Sequence, residues 1–221
     1  MSEPTKLHTI RVWDWPVRAA HWSFALLVPA LWLTAEYSWW GWHKRLGLVL
    51  LGLLVFRILW GFVGTHTARF SDFVKGPGAL LAYLRDGTRA TVGHSPLAAL
   101  GTLALLGAMA AQVGMGLFAG DPFDGATGPL NHLVGVMTAG WLTDTHKWFY
   151  WVVLGLVALH LLAIAFYALV KRETLVRPMV TGKRETEGEG IGAVPLMPLA
   201  ASLLIAVVFT SWIAAGAPGL G

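Results

Sequence analysis

Apolar residues fall in five long runs, at 17–37, 43–63, 96–118, 146–170 and 194–215, separated by polar stretches. Each run is about twenty residues, the length a helix needs to cross a hydrocarbon core of roughly 30 Å. The runs are continuous rather than alternating, which argues against a membrane β-barrel. Backbone groups at that depth have no water to bond, so the runs are predicted to be helices. Pro29 lies inside the first and is expected to bend it. Gly101, Gly107, Ala108, Ala111 and Gly114 suit the third to close helix packing. Residues 65–94 read as a loop with one short amphipathic stretch near 79–84 on the membrane surface. The first twelve residues are polar and show neither the apolar core nor the cleavage site of a signal peptide. The expected fold class is all-α: an integral membrane four-helix bundle over 1–180, a polar linker over 181–192, and an additional C-terminal transmembrane helix within 193–221.

Composition strengthens this picture. Of the 221 residues, 56% are hydrophobic and 13% charged, with mean hydropathy +0.61; soluble domains carry about a quarter charged residues. There is no cysteine, so disulfides, thiolate metal sites, iron–sulfur clusters and covalent haem attachment are excluded. The net charge is +4, and its placement matters more than its sum. Of sixteen Lys and Arg, twelve lie on the side of the N-terminus (side A): Lys6, Arg11, Arg18, four between 69 and 89, and five between 171 and 184. Three, Lys44, Arg45 and Lys147, lie opposite on side B, and Arg57 falls within the second run. The excess predicts a cytoplasmic side A and, in a bacterial inner membrane, a periplasmic side B. Trp39, Trp40, Trp42, Trp141 and Trp148 are expected to form an aromatic girdle at side B, and Trp13, Trp15, Trp22 and Trp60 another at side A. The side A cations read as topology signals and lipid headgroup contacts, not as a nucleic-acid surface. No Gly-rich nucleotide loop, nucleophilic triad or EF-hand pattern occurs.

Chemistry enters through histidine. His8, His66, His94 and His132 fall in tails or loops and read as solvated. His21, His43, His146 and His160 sit in the apolar runs, where an ionisable side chain is costly and points to function. His146 and His160 are fourteen residues apart, which returns them to one helix face about 21 Å apart along the axis. His43 begins the second run on side B and His21 lies near side A in the first. Two pairs at matching depth follow, His43 with His146 and His21 with His160. Facing imidazoles at two depths are the geometry for two six-coordinate haems b. Each ring would give iron one nitrogen and donate the other N–H to a carbonyl or hydroxyl. Zinc fits poorly, because each level offers two nitrogens and no carboxylate.

Arg57, fourteen after His43, points along the same face at the level of the side A haem. It either pairs with haem propionates or snorkels to side A. Arg18, one turn before His21, offers a second cofactor-binding cation. Gly47, one turn after His43, gives room to a porphyrin or serves ordinary helix packing. Either the fourth helix protrudes on side A or the first helix begins early, near Pro16.

The stretches VWDWPVRAAHWSF, WHKRLG, ILWGFVGTHTARFSDFVKGP, GHSP, and ALH with its partner histidine fourteen residues upstream resemble the bacterial cytochrome b561 family, which includes b-type cytochrome subunits of nickel–iron hydrogenases. The resemblance covers about residues 10–182. It implies a four-helix di-haem cytochrome that moves electrons between the quinone pool and a partner protein, with His21, His43, His146 and His160 as ligands. The last span departs from the pattern and holds no histidine, so its expected role is packing or docking. The leading expectation is electron transfer between quinone or quinol and a periplasmic redox protein, such as a cytochrome c or an oxidoreductase subunit. A stand-alone quinone reductase with a small donor such as superoxide or ascorbate is the rival; turnover by the isolated protein distinguishes the two. A haem-free histidine relay would be colourless.

Overall fold

The computed structural model describes residues 8–74, 76–86, 93, 95–121, 125–186 and 188–220. Lys6, Lys75 and Arg89 of the side A charge count, and His94 of the GHSP motif, lie outside the described residues.

The long helices are α1 (Trp15–Glu36), α2 (Trp40–Val63), α5 (Pro96–Phe118), α6 (Val136–Leu169) and α8 (Leu196–Ala214). Between them come α3 (Phe70–Phe73), α4 (Pro77–Asp86) and α7 (Val176–Thr181). Strand β1 (His8–Arg11) pairs antiparallel with β4 (Lys183–Thr186), and β2 (Gly120–Asp121) with β3 (Ala126–Thr127). Among the described residues, α2, α5, α6 and α8 are long and apolar enough to cross a membrane. The chain is a multi-pass membrane protein. Helix α1 has the length of a span but falls outside that group by composition. Its sequence carries Arg18, His21, Glu36 and three tryptophans, which lower its apolarity.

Helix α1 starts at Trp15, not at residue 17, because Asp14 caps it: its carboxylate accepts the Val17 N–H at 2.7 Å. Pro16 sits in the first turn, where its missing N–H leaves nothing unpaired. The expected early start of this helix is thus observed. Helix α6 begins ten residues before the apolar run. Thr143 and Thr145 in that extension donate to Ala139 and Trp141 carbonyls at 2.9 and 2.7 Å, so polar residues there continue the helix.

The chain divides into two compact units. The first comprises Met1–His21, Arg57–Leu103 and Ala158–Ala200. In it the expected linker contains β4, whose pairing with β1 ties the N-terminal segment down, and Val12 N–H bonds the Gly182 carbonyl at 2.8 Å. Gly182, at φ +78°, closes α7 in the left-handed conformation. The expected amphipathic stretch is part of α4, where the Tyr83 hydroxyl meets that of Tyr167 at 2.6 Å.

The second unit comprises Trp22–Phe56, Ala104–Val157 and Ala201–Gly221. Leu130, Ile213 and Ala217 are buried there, with Leu48, Leu51, Leu117 and Trp212 packed against them. Helix α8 lies so close to α2 that a Cβ at Gly52 would be 3.1 Å from Thr210 Oγ1. Packing is therefore an observed role of the last helix. Trp39, Trp42, Trp141 and Trp148 are exposed, as a girdle requires. Trp60 of the first unit is not: it is 0% exposed, and its indole donates to Asp14. The side A girdle loses that member because a buried carboxylate claims its N–H.

Candidate functional site

In the second unit, α2 carries His43 and α6 carries His146, with ring centres 6.2 Å apart and planes at 88°. Nδ1 of His43 is 3.0 Å from the Leu31 carbonyl and 3.3 Å from Thr34 Oγ1. Nδ1 of His146 is 2.8 Å from the Gln112 carbonyl on α5. A carbonyl only accepts, so these bonds place the ring proton on Nδ1 and leave each Nε2 as a ligand nitrogen. Gln112 also donates its amide to the His146 carbonyl at 3.0 Å. One turn on, a Cβ at Gly116 would lie 3.0 Å from His146 Cε1, so a side chain there would press the ring by a few tenths of an ångström.

In the first unit, His21 on α1 faces His160 on α6, ring centres 6.3 Å apart and planes at 58°. His160 is exposed, whereas the other three are half-buried.

The separation of the rings in both pairs would leave room for a metal ion between two imidazole nitrogens. Metal–nitrogen bonds of ~2.0 Å on each side set ring centres about 6 Å apart. Among the described residues no group of three His, Cys, Asp or Glu side chains suits a metal ion, so two-nitrogen sites are the chemistry on offer. A Cβ at Gly47 would meet nothing within 4 Å. That position is open space one turn from His43 and holds no helix contact.

Two cations of the expected site, Arg57 and Arg18, have protein partners. Arg57 is 4% exposed; its guanidinium lies 3.5 Å from the Ala68 carbonyl and over the Phe70 ring. Arg18 donates from Nε to the Met179 carbonyl at 3.2 Å and from its terminal nitrogen to the Val180 carbonyl. It holds the end of α7, where a cation also complements the helix dipole.

Asp14 and Gln112 escaped the sequence reading. Asp14 is 1% exposed and accepts from Trp60 Nε1 at 2.9 Å and Thr65 Oγ1 at 2.6 Å, besides capping α1. It precedes the first apolar run, and no spacing rule marks it. Gln112 was detectable, as a lone amide inside an apolar span.

Membrane helices that bring imidazoles together in pairs, without thiolates, point to the class of membrane b-type cytochromes. A family model described as prokaryotic cytochrome b561 matches residues 12–182, and the chain belongs to that family. Cytochromes of this family bind haem b and carry electrons in membranes. The chain is also 25% identical over 215 residues to a probable Ni/Fe-hydrogenase B-type cytochrome subunit of Bradyrhizobium diazoefficiens, covering 80% of this chain and 86% of that protein. No solved structure matches.

Proposed function

We propose that the chain is a di-haem cytochrome b that passes electrons between the quinone pool and a periplasmic redox partner. One haem b would lie between His43 and His146 and the other between His21 and His160. The observation that carries the reading is the pair of ring separations, 6.2 and 6.3 Å, at two sites built from four histidines. Haem b bound there supplies a reversible one-electron couple. The chain's own contribution is to hold two imidazoles at fixed spacing at each site and, at His43 and His146, to keep Nδ1 engaged by a carbonyl. With both imidazoles of a pair bound to iron, no position would stay open for oxygen, which suits electron transfer rather than oxygen activation. Arg57 supplies a buried cation for a propionate of the His21–His160 haem. Arg18 serves the same haem through α1, by anchoring that helix to α7.

The name of the Bradyrhizobium relative favours an oxidoreductase subunit as the partner. The charge asymmetry supports an inner-membrane protein with a cytoplasmic N-terminus and α1 as a further span. The rival reading, a stand-alone reductase drawing in an anionic donor at side B, has little to rest on. Lys147 pairs with Asp121 at 3.5 Å, and Arg45 sits over Trp42.

The test is a haem count on purified variants. His43→Ala and His160→Ala are each expected to retain one haem where the parent holds two. Full occupancy in either overturns the assignment.

A further inference from the structure

Helix α5 carries none of the four paired histidines, yet it makes the closest polar contacts to one of them. The contact is reciprocal: His146 Nδ1 bonds the Gln112 carbonyl at 2.8 Å, and the Gln112 amide donates to the His146 carbonyl at 3.0 Å. The same amide nitrogen is 3.5 Å from His146 Nε2. The other atom of the amide, Oε1, is buried with no partner among the described residues. Leaving an acceptor bare in an apolar span is unfavourable, since its lost hydration is not replaced. A side chain kept there only for packing would be leucine.

A ring held at Nδ1 alone still turns about that bond. Here further restraints act on His146. The amide bond fixes the backbone that carries it, and the bare Cα of Gly116 lets Cε1 approach to where a Cβ would be 3.0 Å away. The ring is held at 88° to that of His43, against 58° between His21 and His160.

We infer that Gln112 and Gly116 are positioning residues which set the plane of His146, and so the crossed ligand geometry of one haem only. The inference rests on the di-haem reading. The angle between axial imidazole planes governs the splitting of the iron d-orbitals in low-spin ferric haem. Crossed planes therefore give a larger maximum g value in electron paramagnetic resonance than planes nearer parallel.

The experiment uses the full-length, haem-loaded protein. The parent is expected to show two low-spin ferric signals, and His43→Ala to remove the one with the larger g value. Gln112→Leu, close in size and apolar, is expected to keep two haems per chain, lower the g value of that signal alone and shift that haem's midpoint potential alone. Should Gln112→Leu fail to assemble, Gly116→Ala presses the same ring from one turn further along α5 and is expected to move the same signal. Gly107→Ala, where a Cβ meets nothing within 4 Å, is the control and leaves both signals in place. An assembled Gln112→Leu with both signals unchanged, or with both moved equally, overturns the inference; so does an unchanged spectrum in Gly116→Ala. A parent without haem would instead sink the di-haem reading itself.

Discussion

The residue with most at stake outside the histidines is Asp14. Its carboxylate caps α1 and receives the Trp60 indole and the Thr65 hydroxyl, all out of water. Removing it strands two buried donors, each costing about 1–3 kcal/mol, and removes a cap worth about 1 kcal/mol. Asp14→Ala is therefore expected to lower stability by about 3 kcal/mol or more, read as an earlier loss of Soret absorbance on heating in detergent. His21 lies two turns along α1 from Asp14, so the haem it is proposed to ligate is expected to be lost first. Thr65→Val, which removes one donor and leaves no bare one, should have a much smaller effect. Arg18 and Arg57 separate in the same way. Arg57→Leu is expected to shift the midpoint potential of the His21–His160 haem downward, since a buried cation favours the reduced state. Arg18→Gln should leave both potentials near the parent values, because that guanidinium is bound to the carbonyls of Met179 and Val180. A redox titration of the two variants checks both outcomes.

At the scale of elements, apolar run length located α2, α5 and α8 to within three residues at either end. The four histidines were legible because imidazole is rare in lipid and fourteen residues return to one helix face. What the pattern missed has local causes. The start of α6 was hidden because Thr143 and Thr145 look like loop residues until their hydroxyls bond back along the helix. β1 and β4 were hidden because their pairing joins segments 8–11 and 183–186, and no periodicity reports so distant a partner. The placement of α8 on α2 was equally unreadable, although Gly52 marks it afterwards. Gly52→Leu is expected to push Thr210 away and destabilise the protein by about 1–3 kcal/mol, measured as a lowered Tm with haem content unchanged at low temperature.

For the whole molecule, the charge asymmetry is the property that every span shares. Reporter fusions at the N-terminal end and in the segment between α5 and α6 should locate the two on opposite sides, cytoplasmic and periplasmic respectively. Removing the side A cations at 171, 172, 177, 183 and 184 together is expected to weaken that bias. The remote pairing of the ligands has a further bearing, on how the protein is made. His21 leaves the ribosome well before His160, and at about 5–20 residues per second the delay is on the order of ten seconds. During that interval the early helix offers a porphyrin a single imidazole. On the proposed ligation, capture of the cofactor at this site is a late event of biogenesis, and a chain truncated before α6 is expected to hold neither of the two proposed haems.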